Sequence, residues 1–244
     1  MSHLVLLRHG QSESNRDRRF TGWSDVAITP KGIRECEAAG RCMATAGYHF
    51  DVCFTSVLQR GIDAAHAALR GLGEPDLKLE QSWRLNERHF GALQGLRRRD
   101  AVRRHGVRQV VRWQSTYDEP PPPLEDGDSR LEAEDPRYAA LSSDELPRAE
   151  SLADTYARVL PYWHSAIVPL LQQEQSVLVV AHKNSLRVLV KEIEGLSNEE
   201  VPRFQLRTGQ PLGYAFDENL TLLDRGFLLP QKKDLRFWRW LSPA

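Results

Sequence analysis

Apolar residues in this chain fall into short runs separated by longer stretches that carry them at helical spacing. Leu4-Val5-Leu6-Leu7 and Ser176-Val177-Leu178-Val179-Val180-Ala181 are near-continuous apolar runs. That pattern suits strands covered on both faces, where alternation with polar residues is lost. Asp51 to Thr55 and Leu77 to Glu80 read as two further strands. Between them, Ile33, Cys36, Ala39, Gly40 and Met43 recur at helical spacing. Thr29 is placed to cap that helix, Pro30 suits its first turn, and Gly47 suits its stop. The pattern predicts another helix through Ala64, Ala65 and Leu69, and a return to helix after Gly106. A long helix follows from Leu152 to Glu174, interrupted at Pro161 and Pro169, and a last one from Ser185 to Leu196. Strands alternating with helices predict an α/β fold, a mostly parallel central sheet with helices on both faces, joined by right-handed crossovers. From Tyr117 to Pro147 the chain is loop-like. Pro120 to Pro123 cannot donate to a helix or a ladder, and an acidic stretch follows. A solvated surface loop fits this segment, and its length also fits a lid.

With 244 residues, 41% of them hydrophobic, the chain can bury one sizeable core, so a single domain over residues 1–244 is expected. Its features are a candidate lid at 117–147 and a C-terminal tail at 225–244. Lys+Arg and Asp+Glu each total 33, which argues against a protein that coats nucleic acid or an anionic membrane. The balance leaves room for a small anion pocket. No apolar stretch approaches the roughly 18–20 residues needed to span a bilayer. The N-terminal residues Met1 to Leu7 carry no Lys or Arg and their apolar run stops at Arg8, so no signal peptide is expected. Cys36, Cys42 and Cys53 are odd in number and lack CxxC spacing, as expected of buried free thiols in a reducing, cytoplasmic setting. In the tail, Gln231 to Trp240 interleaves bases and aromatics, a pattern seen in nucleic-acid binders. Overall neutrality favours docking on the chain's own domain or on a partner subunit.

Two strands run directly into histidine. The first meets Arg8-His9-Gly10-Gln11-Ser12, and the strand ending at Ala181 meets His182-Lys183-Asn184-Ser185. Ligands of open parallel sheets sit beyond the carboxyl ends of the strands, so the two histidines can share one pocket there. Gly10 would let the backbone approach a ligand closely. Ser12, Asn15 and Thr21 offer neutral polar groups, while Arg8 and Arg60 offer guanidinium forks that match phosphate oxygens.

These residues resemble the histidine phosphatase superfamily, marked by its Arg-His-Gly opening, and within it the 2,3-bisphosphoglycerate-dependent phosphoglycerate mutases. Phe20 to Val26 is similar to that group's FTGWxDV segment, Asp51 to Arg60 to FDxxxTSxLxR, and Trp83 to Leu96 to WRLNERHYGxLQGL. Tyr117-Asp118 with the proline run, Glu150-Ser151-Leu152 and Ala181 to Arg187 continue the match, which covers about residues 4 to 220. The resemblance implies that His9 is the nucleophile, carrying the phosphoryl group as a phosphohistidine. It implies that Arg8, Arg60 and His182 stabilise the transferring oxygens, and that Glu87 is the general acid and base. Substrate contacts would come from Asn15, Thr21, Gly22, Arg88, Phe90, Arg98 and Asn184, and no metal is required. The leading expectation is interconversion of 3-phosphoglycerate and 2-phosphoglycerate, primed by 2,3-bisphosphoglycerate. The alternative is a phosphatase, or a mutase acting on another small phosphorylated metabolite. The expected partner is a small phosphorylated carboxylic acid, with neither nucleic acid nor membrane, and the family implies a homodimer.

The chain departs from the family pattern at binding positions. Trp113 is followed by Gln114 and Ser115 where the family has two arginines, and Lys183 stands where it has glycine. Phe90 replaces a tyrosine and Arg98 a lysine. Each charged hydrogen bond lost costs about 1.5–3 kcal/mol, roughly ten- to a hundredfold in affinity. Lys183 either replaces part of that charge or selects a different anion, or it swings out to water. His89 and Arg84 read as residues that hold their block in place.

Overall fold

The computed structural model describes residues 1–131 and 135–228. Six strands form one sheet: β1 (Ser2–Arg8), β2 (Val52–Thr55), β3 (Leu79–Gln81), β4 (Val177–Ala181), β5 (Pro211–Phe216) and β6 (Leu222–Phe227), in the order β3-β2-β4-β1-β5-β6. The first four in that order are mutually parallel, and β5 and β6 run antiparallel at the other edge.

The apolar strand runs are continuous because both sheet faces are buried. Leu4, Leu6, Val177 and Val179 pack with Val159, Ile167 and Leu189. These come from the helical stretch α6 (Leu152–Tyr162), the following π-turn Trp163–Ile167, and α8 (Lys183–Glu194). The alternate residues Val5, Leu7, Leu178 and Val180 pack on the other face with Cys36, Met43, Ala64 and Leu69. Those belong to α2 (Pro30–Thr45) and α3 (Gln59–Leu72). Thr29 caps α2 as expected, its side chain accepting from the Gly32 N–H. A short α1 (Glu13–Arg16) precedes them.

Several boundaries differ from the sequence expectation. Helix α4 (Arg98–His105) precedes Gly106, and only α5 (Val107–Ser115) follows it. Only Ala101 of α4 is fully buried, so its sequence carries almost no apolar stripe. The interruptions at Pro161 and Pro169 appear as a π-turn between α6 and α7 (Val168–Gln172), without a break in the path. Helix α8 starts at Lys183, two residues early, with His182 as its N-cap. Arg225 to Phe227 lie in β6, so the tail cannot begin at residue 225. Its remainder, including Gln231 to Trp240, lies outside the described residues. The loop from Tyr117 is pinned as well as solvated: Leu124 and Tyr138 are buried, and Tyr138 stacks on Trp23 with ring centroids 5.0 Å apart. No helix among the described residues is long and apolar enough to cross a membrane.

Candidate active site

Register delivers the two histidines together. Arg8 of β1 pairs with Ala181 of β4, so His9 and His182 leave the sheet side by side. The His9 N–H donates to the Ala181 carbonyl at 3.0 Å, and the imidazole centroids lie 5.0 Å apart at 61°. His9 Nδ1 lies 2.7 Å from the Gly10 carbonyl. A carbonyl can only accept, so Nδ1 carries the proton and Nε2 keeps its lone pair. Burial, then Arg60 and Arg8, hold the His9 pKa well below the usual histidine range, so the ring is neutral. Gly10 serves packing here and not ligand approach: a Cβ would meet the Gly32 carbonyl oxygen at 2.1 Å, and its N–H donates to Cys36 Sγ. His182 is wholly buried, its Nε2 2.7 Å from Ser56 Oγ. It packs on His9 and does not form part of the cavity wall.

In front of His9 lies a cavity of about 220 Å3. Its wall includes Arg8, His9, Asn15, Thr21, Arg60 and Glu87. Arg88, Phe90, Arg98, Lys183 and Asn184 complete the expected set that reaches it. Ser12 and Gly22 do not. Ser12 is buried as the cap of α1, exchanging hydrogen bonds with Asn15. Gly22 is a turn residue with φ 58°, where a Cβ would strike Gln94, and its carbonyl accepts from Arg60. Of the two positions where the family carries arginine, Gln114 faces the cavity. Ser115 is exposed and donates to the Val111 carbonyl. Of the two positions, then, only that of Gln114 reaches the cavity. Arg19, Arg187 and Gln205 also line the wall, unforeseen. Arg187 stands one helical turn after Lys183, and that i,i+4 spacing was its available signal.

Seven cationic side chains and one carboxylate surround this small volume. Burial drives the pKa of Arg60, Arg88 and Arg187 down to about 10, with Glu87 opposing the shift in each. They remain charged at neutral pH. Arg60 is fixed by the Ser24 and Gly22 carbonyls at 2.9 and 2.7 Å. Arg88 donates to the Trp113 carbonyl and lies 4.6 Å over the Phe90 ring, so phenylalanine retains the cation–π support that tyrosine would give. Its Nε and Nη1 are buried without a hydrogen-bond partner. Lys183 is pushed down to about 8, by burial first and then by Arg187 and Arg8. It lines the cavity and does not swing out to water.

Glu87 is held from behind. Its Oε1 accepts from the backbone N–H groups of Arg88 and Asn184 at 2.8 and 3.1 Å. Its carbonyl accepts from the Trp23 indole at 2.7 Å. Arg158, absent from the sequence reading, forms a buried bidentate pair with Glu150 at 2.7 and 2.9 Å and donates to the Arg84 carbonyl at 2.6 Å. Glu150 also accepts from the His89 N–H. Among the described residues no group of three or more His, Cys, Asp or Glu side chains is placed to hold a metal ion.

The model of the histidine phosphatase superfamily, branch 1, matches residues 4–135 and 128–220. Among solved structures, the chain is similar to a mycobacterial glucosyl-3-phosphoglycerate phosphatase complexed with VO3. The identity is 21%, the match covers 87% of this chain and 92% of that one, and the TM-score is 0.67. It is similar to the alpha-ribazole phosphatase from Shigella flexneri at 19% identity, covering 91% and 94%, with a TM-score of 0.66. A structure named mycobacterial hydrolase 2 matches at 20% identity over 99% and 98% of the two chains, with a TM-score of 0.63. At these identities the likeness is one of fold.

Proposed function

The chain belongs to the histidine phosphatase superfamily, and on that premise we propose that it hydrolyses a small phosphorylated acid through a phosphohistidine on His9. The observation that carries this reading is the lone pair of His9 Nε2, set by the Nδ1–H bond to Gly10, at a cavity ringed by seven cations and one carboxylate. In the first step Nε2 attacks phosphorus, the ester P–O bond breaks, and Glu87 protonates the leaving oxygen. In the second, water attacks the phosphohistidine, Glu87 takes the water proton, and the P–N bond breaks to release phosphate. Arg8, Arg60, Arg88 and Lys183 offset the charge on the phosphoryl oxygens throughout, the main requirement of such transfer.

A mutase primed by 2,3-bisphosphoglycerate is the second reading, favoured by a cavity whose charge suits a bisphosphate. Arg88, Arg98, Lys183 and Arg187 would hold the primer, which would supply the phosphoryl group that loads His9. Against it stands the location of part of the mutase-like pattern, although Thr21, Arg88 and Phe90 of the same segments line the cavity. Trp23, Trp83, Asn86, His89 and Gln94 lie behind Glu87, away from the cavity wall, and Trp23, Asn86, His89 and Gln94 are fully buried. They constrain the position of the acid, not the identity of the substrate. The departures at Gln114 and Lys183 lie on the wall itself. The relatives named as phosphatases lend the hydrolytic reading further support. A phosphorus NMR time course with 3-phosphoglycerate and a trace of 2,3-bisphosphoglycerate separates the two. Inorganic phosphate from this or another small phosphorylated acid supports hydrolysis. Build-up of 2-phosphoglycerate with little phosphate would establish the mutase instead.

A further inference from the structure

A second, larger cavity of about 590 Å3 adjoins the first, and Asn15, Arg19 and Arg98 belong to the walls of both. Its far side is formed by Arg18, Arg97 and Arg99. The two cavities together are lined by ten cationic side chains and two carboxylates, in a chain of zero formal net charge. One of those carboxylates, Asp17, is engaged by Arg16 at 2.8 Å. Asp17 also feels the charges of Arg19 and Arg97, but among the described residues Arg18, Arg97 and Arg98 form no ion pair within 4 Å, and Arg99 meets only its neighbour Asp100, at 3.7 Å.

The backbone enforces this crowding. Arg19 and Arg97 face each other across an antiparallel bridge, and the Arg98 N–H donates to the Arg18 carbonyl at 3.0 Å. Like charges directly opposite each other destabilise such a pairing. Arg18 also holds φ 55°, a region that residues with a Cβ rarely adopt. Helix α4 begins at this point, its N-cap Arg97 making no side-chain capping bond. Its positive end adds to the attraction for an anion. Local rules are broken together at one place, beside the catalytic cavity, as happens where a site demands it.

We propose that the arginine cavity is a subsite for a second anionic group of the substrate. This deepens the phosphoryl-transfer reading above and rests on it. The substrate class is then a phosphomonoester whose body passes between Asn15 and Arg98 and carries a second phosphate at its far end. One phosphate meets His9, and the other meets Arg18, Arg97 and Arg99.

The test compares fructose 1,6-bisphosphate with fructose 6-phosphate as probes, by calorimetric binding and by inhibition of p-nitrophenyl phosphate turnover. The bisphosphate is expected to compete with the chromogenic ester and to bind about tenfold tighter than the monophosphate. Arg97→Ala with Arg99→Ala should shrink that ratio to about twofold, while Arg97→Lys with Arg99→Lys keeps most of it. In the unaltered protein the ratio should fall as salt rises, because exposed charges are screened. A ratio near one, a ratio insensitive to salt or to the alanine pair, or binding that does not compete would overturn the subsite. Loss of turnover on all esters would overturn the activity instead, and the calorimetric ratio would still test the subsite.

Discussion

Lys183 links charge, position and pH in a single side chain. It is the first residue of α8, directly after His182, and it shares the cavity wall with Arg8, Arg98, Arg187 and Glu87. Its pKa, pushed down to about 8, makes it a cation below that pH and a neutral amine above it. An anionic substrate is bound best by the cation, so kcat/KM should fall as pH rises through about 8. Lys183→Gly should lower substrate affinity roughly tenfold at pH 7 and abolish that alkaline fall, and Lys183→Arg should move the fall upward. A pH profile of the three proteins checks this, and an unchanged alkaline limb in the glycine variant would count against it. Cys36 is the opposite case, a group kept from reacting. Burial pushes its thiol up to about 12 while Sγ accepts from the Gly10 N–H. Thiol reagents should therefore leave Cys36 unmodified in the native protein and label it only on unfolding, as mass spectrometry of the peptides would show.

Among the elements, the segment Trp83 to Gln94 does most to position the chemistry, and it has almost no regular structure of its own. Two short 3-10 turns are all it forms. Its backbone carbonyls are satisfied by Arg158 of α6 and by the Trp23 indole. Breaking the buried Arg158–Glu150 pair leaves an uncompensated carboxylate, so Arg158→Ala should destabilise the fold by about 3–5 kcal/mol. Calorimetric unfolding measures this, and a shift near zero would show that the segment is held by other contacts. Trp23→Phe removes the closer of the two donors to the Glu87 carbonyl and leaves only the 3.4 Å contact from Arg158, a loss of about 1 kcal/mol. On the proposed role of Glu87, a drop in kcat larger than any change in KM is expected, since the proposed acid and not a substrate contact is disturbed. Such elements also set what could be read from the sequence. β1 and β4 were legible because both faces are buried, and α2 because Thr29, Pro30 and its apolar stripe agree. β5 contains Pro211 and Gly213, and β6 exposes most of its residues, so neither carries a clear strand pattern. Half of α4 is arginine. Arg158 was missed because an arginine among apolar helix residues looks solvated until its carboxylate partner, eight residues away, is seen beside it.

For the molecule as a whole, the parallel arrangement of β1, β4 and β2 matters most. It brings His9, His182 and the start of α3 with Arg60 to one end of the sheet. The His9, Arg8, Arg60 and Glu87 grouping was legible from strand ends and the family resemblance. The arginine cavity was not, since Arg18 and Arg97 are far apart in sequence and are united only by the bridge and backbone hydrogen bonds between their segments. A net charge of zero hides this polarity, which the fold creates by gathering cations at one end. The central claim is that phosphoryl transfer passes through His9 Nε2. It is tested most directly by mixing the protein with a phosphorylated acid, quenching in alkaline denaturant, and recording the phosphorus NMR spectrum of the protein. A phosphohistidine signal in the unaltered protein, absent together with turnover in His9→Ala, is the predicted result. Turnover without that signal, or turnover that survives His9→Ala, would contradict the account.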